Sequence, residues 1–461
     1  MLVANPAAPY SRGLRIARAL ADEGFAVEIA AIAVPGLPET ELDGPIRIRR
    51  YRPSGPFARI AATYAGTSAT ARPADPARPV DPDGERSVTD PGPAPTAETT
   101  GAGPVATRGG PATRRLARLP RLFAGRLKRR SVSLVRWLLW PHTVRGWWRT
   151  LDRALPPASL YHACGSLTIA PALAARDRQR RHGRSAVVVY DAIDNVFESN
   201  NVLEMPGALR AWHARRERGW ARSADGRTTV NDALAERLAT RWSSDRPLVI
   251  PNYPEVGSIQ PAEDRVRTEL RLGPDTRVVL FQGRLGPNLG LDEAAEAVLL
   301  IEDAALVLLG FGRWSARSVA RDADPRFRGR HFTLPARHPD DLPGWTASAD
   351  VSIIPLPAIS LNQRHATPNK FWESIAVGTP VVVGPDLPVM DELVTRFDLG
   401  VVAQSLRPAD LAAAVRAVID RPSTDRAAWR TAIAATAGER FSWRTTAAAY
   451  RELIRTLAGP A

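Results

Sequence analysis

The sequence predicts an α/β protein made of two doubly wound, Rossmann-like halves. Three observations carry that prediction. Short apolar runs alternate with helically spaced segments along most of the 461 residues. The alternation restarts after the proline-bounded junction Pro251-Asn252-Tyr253-Pro254. Each half begins in the strand–helix–strand order from which parallel sheets are built. A chain of this length accommodates two domains at roughly 100–200 residues each, with sequence to spare.

Taken in order, residues 1–5 are short and apolar, and residues 14–23 carry Leu14, Ile16, Ala17 and Leu20 at helical spacing before Gly24. Residues 26–31 and 46–51 read as strands. From 67 to 113 the pattern vanishes: nine prolines, and no aromatic, Leu or Ile. Such a stretch cannot bury enough apolar surface to offset its ordering entropy and is expected to be a disordered insertion. Strands resume at 159–163 and 186–190 around a helix at 167–181. A helix at 203–224, a strand at 228–230, a helix at 233–241 and a strand at 248–250 complete the half. The second series places strands at 278–282, 305–309, 331–334, 351–354, 381–383 and 401–402. Helices fill the gaps, and a terminal helix spans 443–457.

Charge narrows the function. Lys and Arg number 62 against 48 acidic residues, for a net charge of +14, and only Lys128 and Lys370 are lysine. The skew reads as codon bias, which makes a retained lysine worth notice. Residues 114–149 hold 11 of the basic residues and no acid. The rest of the chain is nearly balanced, so a broad nucleic-acid-binding face is not expected. That window also holds Trp137, Trp140, Trp147 and Trp148 with interleaved leucines. It reads either as a segment lying on an anionic membrane surface or as helices whose tryptophans pack inward. Cys164 is the only cysteine, which excludes an internal disulfide and a multi-cysteine zinc site. With no signal-like start and no spanning apolar run, the expected location is the cytoplasm, with peripheral contact to the inner face of the membrane.

Two segments carry candidate chemistry. Phe281-Gln282-Gly283-Arg284-Leu285-Gly286-Pro287-Asn288-Leu289-Gly290 joins a strand to a helix. Gly283 permits close backbone approach, and Arg284 suits bidentate contact with a diphosphate. The spacing is neither a Walker loop nor a dinucleotide fingerprint. In Thr367-Pro368-Asn369-Lys370-Phe371-Trp372-Glu373, Pro368 stands near a helix start whose free N–H groups attract phosphate. Lys370 adds a point charge there, and Glu373, about a turn on, can accept hydrogen bonds from two ribose hydroxyls. On the other half, Asp191 and Asp194 lie at a strand end, where carboxylates can bind sugar hydroxyls. His162 reads equally as a buried hydrogen-bonded histidine or as an acceptor contact.

Together these pieces resemble the group-1, retaining, nucleotide-sugar-dependent glycosyltransferases of the GT-B fold. The matching residues are Gly283-Arg284-Leu285 with Gly290, Leu306 to Gly312, Ala349-Asp350 before Pro355, and Pro368 to Glu373. Ile250-Pro251-Asn252 and Phe441-Ser442-Trp443 match the family's interdomain strand end and closing helix. The resemblance is strong over 230–457, weaker over 1–50 and 159–202, and absent from 67–113.

It implies a GT-B architecture: residues 1–252 as the acceptor-side domain, 253–440 as the nucleotide-sugar domain, and 441–461 returning toward the first. It implies that Arg284, Lys370 and Glu373 are the catalytic residues. Gly283, Pro335, Arg337, Pro368 and Asn369 would join them in donor binding. His162, Asp191 and Asp194 would face the acceptor, a glycan, lipid-linked or small molecule. The nucleoside-diphosphate sugar is then a substrate, with no tightly bound cofactor and no metal. Three positions depart from the family pattern: His365 replaces a glutamate eight before Glu373, Leu289 a basic residue, and Ile193 a histidine. They leave open a catalytically silent sugar-nucleotide-binding or scaffold protein as the alternative.

Overall fold

In a computed structural model, the residues described are 1–8, 10–54, 137–138, 140, 144–199, 202, 205–255 and 264–459. The expected disordered insertion 67–113 and most of the basic window 114–149 lie outside them.

The first half builds strands β1 (Leu2–Val3), β2 (Glu28–Ile32), β3 (Thr40–Asp43), β4 (Ile46–Tyr51), β5 (Leu160–Cys164), β6 (Val187–Ala192), β7 (Gly226–Thr229) and β8 (Leu248–Val249). They lie in the order β3-β4-β2-β1-β5-β6-β7-β8. Every neighbouring pair is parallel except β3–β4. The second half builds β9 (Arg277–Arg284), β10 (Ala304–Phe311), β11 (His331–Pro335), β12 (Val351–Ile354), β13 (Val381–Val383) and β14 (Gly400–Val402). These form an all-parallel sheet in the order β11-β10-β9-β12-β13-β14. Two Rossmann-like parallel sheets are thus present, as the alternation implied.

The central strands are apolar because helices cover both faces of each sheet. All six residues of β6 are buried, as are the first seven of β10. The edge strand β3 escapes a reading by hydrophobicity for the opposite reason. Thr40, Glu41 and Leu42 are exposed, and an edge hairpin on Gly44 (φ 57°) needs no buried face. The helix expected from 203 starts at Gly207, after the extended Pro206 at its N-cap (ψ 135°).

The last helix, Trp443–Ala458, buries Trp443, Ala447, Tyr450 and Ile454 in the same core as Ile16 and Leu20 of the Ser11–Asp22 helix. The preceding helix, Ser423–Arg440, puts Trp429 and Ile433 into the core of the second sheet. Strand order reverses about β1 in the first sheet and β9 in the second. Ligands of open α/β sheets bind outside the carboxyl ends of such strands.

The described tryptophans of the basic window pack inward. Trp147 and Trp137 are buried, Trp148 donates from Nε1 to the Leu167 carbonyl at 2.9 Å, and Trp140 meets Trp137 edge to face.

Candidate functional site

At the end of β9, glycine is required by contact. A Cβ on Gly310 would lie 1.8 Å from the carbonyl oxygen of its register partner Gly283. Gly283 itself has φ 109°. Gly290 has φ 69°, and a Cβ there would lie 2.0 Å from the Pro355 carbonyl oxygen just beyond β12. The turn is therefore pressed against both strands at the switch point, and a side chain at either glycine would push them apart. Arg284 closes β9, exposed to solvent. Among the described residues it has no ion-pair or hydrogen-bond partner, so its fork is available to an anion.

Lys370 and Glu373 sit on the Asn369–Ala376 helix, capped by the extended Pro368 (ψ 151°). Phe371, Trp372 and Ile375 of this helix enter the core, which turns Lys370 and Glu373 to its other side. The Lys370 ammonium lies 3.3 Å from the centroid of the Phe281 ring, over the space left by Gly283. Burial pushes Lys370 down to about 7; Glu373 opposes the shift and Arg284 adds to it. Burial likewise holds the Glu373 carboxyl above the usual range, with Arg15, the Gln282 hydrogen bond and Lys370 pulling it back. Gln282 Nε2 donates to Glu373 Oε2 at 2.8 Å, and Thr346 Oγ1 donates to Gln282 Oε1 at 2.7 Å. This relay fixes the carboxylate's orientation.

Asn369 reaches the other half of the molecule, donating from Nδ2 to Ser11 Oγ at 3.2 Å. Pro335 ends β11 beside Gly310 and is exposed. Arg337 stacks on Trp345 at 4.1 Å and reaches Glu269 at 3.4 Å. Leu289, where the family carries a basic residue, packs against the core.

The acceptor-side residues do not gather as sequence spacing suggested. Asp191 is fully buried: Arg12 grips it with two hydrogen bonds at 2.8 and 2.7 Å, and Thr228 Oγ1 donates at 2.8 Å. Burial pushes this carboxyl up, but the Arg12 guanidinium together with His162 outweighs burial and holds it well below the usual range. It has no face left for a sugar hydroxyl, and it is not paired with Asp194. His162 is also buried, with Nδ1 2.8 Å from the Tyr450 hydroxyl and Nε2 3.7 Å from Asp191. Of the two readings of His162, this is the buried hydrogen-bonded one. Burial lowers its affinity for a proton, against the pull of Asp191.

Asp194 is exposed and accepts from Asn362 Nδ2 at 3.0 Å, across from the second half. Asn362 Oδ1 in turn accepts from the Asn195 amide at 2.7 Å, and Asn231 Nδ2 donates to the His365 carbonyl at 2.7 Å. Ile193 packs against the first sheet's core.

Among the described residues, His162, Cys164 and Asp191 bring their ligand atoms within 4.8 Å of one another. They do not fit a cation. Asp191 is committed to Arg12 and Thr228, and burial raises the Cys164 thiol to about 12. Spacing in the sequence offered no sign of Arg12, Arg15 or Thr346. The one legible hint was Gln282, a polar residue inside an apolar strand run.

Residues 276–421 match the sequence model of the family described as "Glycosyl transferases group 1". Over 208 residues the chain is 30% identical to D-inositol 3-phosphate glycosyltransferase from Geodermatophilus obscurus, covering 41% of this chain and 44% of that protein. The chain spans less than half the length of the curated relatives it matches. In fold it is similar to sucrose-phosphate synthase from Thermosynechococcus elongatus, with a TM-score of 0.63 at 14% identity over 100% of this chain and 98% of that one. HepE from Anabaena, solved with UDP and glucose, has a TM-score of 0.54 at 17% identity over 68% of this chain and 82% of its own. The fold is that of GT-B proteins, and within it residues 276–421, which build the second sheet, match the group 1 glycosyltransferase model.

Proposed function

We propose that the chain moves a sugar from a nucleoside-diphosphate donor to a hydroxyl acceptor with retention of configuration. The observation that carries this reading is the convergence of Arg284, Lys370, Glu373 and the Asn369 helix start on one strand end, within the segment that matches group 1 glycosyltransferases. In this reading residues 253–440 hold the donor, residues 1–252 present the acceptor, and 441–461 returns to the first domain. Arg284 and Lys370 neutralise the diphosphate, with open N–H groups of the helix beside them. Glu373 takes the ribose hydroxyls, and Pro335 and Arg337 flank the base.

As the bond from the anomeric carbon to the phosphate oxygen breaks, the acceptor oxygen bonds to that carbon on the same face. The leaving phosphate takes the acceptor's proton, so no histidine is needed where Ile193 stands. HepE's complex with UDP and glucose supports UDP as the first nucleotide to try. The test is incubation with a panel of UDP- and GDP-sugars, following nucleotide release and the anomeric proton of the product by NMR. Retained configuration is expected. Inversion overturns the stereochemistry, and tight binding without turnover favours the silent-scaffold alternative.

Contact with an anionic membrane through 114–149 is the second part of the proposal, and the packed tryptophans shift its weight to the arginines. Each basic residue near an anionic surface is worth on the order of 1 kcal/mol, and salt removes the attraction. The protein is expected to float with anionic vesicles at low salt and to be released by high salt. A variant with Arg126, Lys128, Arg129 and Arg130 changed to Ser should stay in the soluble fraction. Wild type remaining soluble with every vesicle composition would mean that the window is a solvated face. Among the described residues no helix is long and apolar enough to cross a membrane.

A further inference from the structure

One direct hydrogen bond, and contacts through the connection 252–254, bring the Ser11–Asp22 helix of the first domain against the Asn369–Ala376 helix of the second. Ser11 and Asn369 share the 3.2 Å hydrogen bond already described. One turn beyond each lie Arg15 and Glu373, on the faces that Ser11 and Asn369 mark. Arg15 Nη2 donates to the Asn252 carbonyl at 3.3 Å in the connection between domains. The next residue, Tyr253, meets Trp372, the neighbour of Glu373, edge to face at 4.7 Å. The Arg15 guanidinium also lies 5.9 Å from the ring of Trp443, whose amide donates to Pro254 at 3.0 Å. Arg15 is thus a buried cation at the seam, and among the described residues its Nε has no hydrogen-bond partner.

A buried guanidinium in this position needs a counter-charge; among the described residues it makes no ion pair within 4.0 Å, and the charges of Glu373 and, more weakly, Glu255 offset its burial. Arg12 and Arg18 repel it. Burial lowers Arg15 to about 10, so it stays charged at neutral pH.

We propose that Arg15 is a positioning residue that supplies a counter-charge to the Glu373 carboxylate from the opposite domain, so that ribose recognition is complete only when the two domains are docked. The proposal rests on the donor-binding reading given above. The groups facing Glu373 are Arg15 from the first domain, Lys370 from its own helix and Gln282 from β9.

The first arm of the test needs no ligand. Urea unfolding midpoints of wild type, R15M, E373Q and the double variant form a cycle. The two single losses are expected not to add. Strict additivity overturns the pairing.

The second arm uses calorimetry with UDP and with inorganic pyrophosphate, which has no ribose. R15M is expected to weaken UDP by about tenfold, the lower end for one charge-assisted contact, and to leave pyrophosphate unchanged. R15K should recover most of the loss, because it restores the charge. The ratio of R15M to wild-type dissociation constants should fall as pH rises, because Glu373 then ionises without help; Lys370 titrates in both proteins and cancels. Equal weakening of UDP and pyrophosphate, or no recovery in R15K, reduces Arg15 to a packing role. If wild type binds neither ligand, the donor-binding reading fails, and the cycle alone decides whether Arg15 and Glu373 are coupled.

Discussion

Lys370→Met is expected to weaken UDP binding by about tenfold to a hundredfold and to abolish an accompanying proton uptake. A charge-assisted hydrogen bond to a desolvated phosphate contributes roughly 1.5–3 kcal/mol. Lys370 has a further property that exposed arginines lack. Burial beside the Phe281 ring brings it to about 7 in the free protein, so above neutral pH much of it is uncharged. A diphosphate arriving beside it raises that value again, because an opposite charge favours the ammonium. Binding above pH 7 must therefore draw a proton from the buffer, and UDP affinity should decline as pH rises through this range. Calorimetry at pH 8 in two buffers of different ionisation enthalpy measures the uptake. Wild type should show close to one proton, and Lys370→Met none. Arg284→Ala should lose affinity and keep a smaller uptake, because Lys370 remains but loses one of the charges that lower it in the free protein. An unchanged affinity in both variants would place the phosphate elsewhere.

Asp191→Ala is expected to destabilise the first domain by roughly 3–5 kcal/mol, the cost of leaving one partner of a buried ion pair without the other. Arg12 would keep its bonds to the Ile250 carbonyl and Asn252 Oδ1, both 2.7 Å, but lose its counter-charge. Urea unfolding measures the change. Pairing the substitution with Arg12→Met should recover part of the loss, because an apolar pair of similar volume is cheaper to bury than a lone guanidinium. The pH dependence follows from the same pair. The Asp191 carboxyl is depressed in the folded state, so its contribution is complete above the unfolded value of about 3.9 and is lost as pH falls below it. Wild type should lose stability on acidification more steeply than Asp191→Ala. A cost below about 1 kcal/mol, the range of exposed pairs, would show that the pair is solvated in solution.

Much of the fold was legible because a doubly wound sheet writes itself into sequence. Strands buried on both faces are largely apolar; β10 and β13 read so throughout, and β6 and β12 do apart from Asp191 and Ser352. The donor-side candidates were legible for a related reason. Glycines at 283, required by its positive φ, and at 290, pressed on the Pro355 carbonyl, and a lysine kept in an arginine-rich chain, can be read from the sequence. Edge strand β3 was illegible because an edge need bury nothing.

The acceptor side shows where sequence stops. Asp191, Asp194 and His162 look alike as polar residues at strand ends, yet one is gripped by Arg12, one is exposed at the domain seam, and one is buried against Tyr450. Their partners lie 179, 168 and 288 residues away in the chain. The sequence by itself determined the two parallel sheets, because periodicity carries that information, and it offered Arg284, Lys370 and Glu373 as candidates through a family resemblance. Only the tertiary structure decided which polar groups are neutralised and which are left to act. Burial and charge pairing depend on contacts between distant segments, and these exist only once the chain has folded.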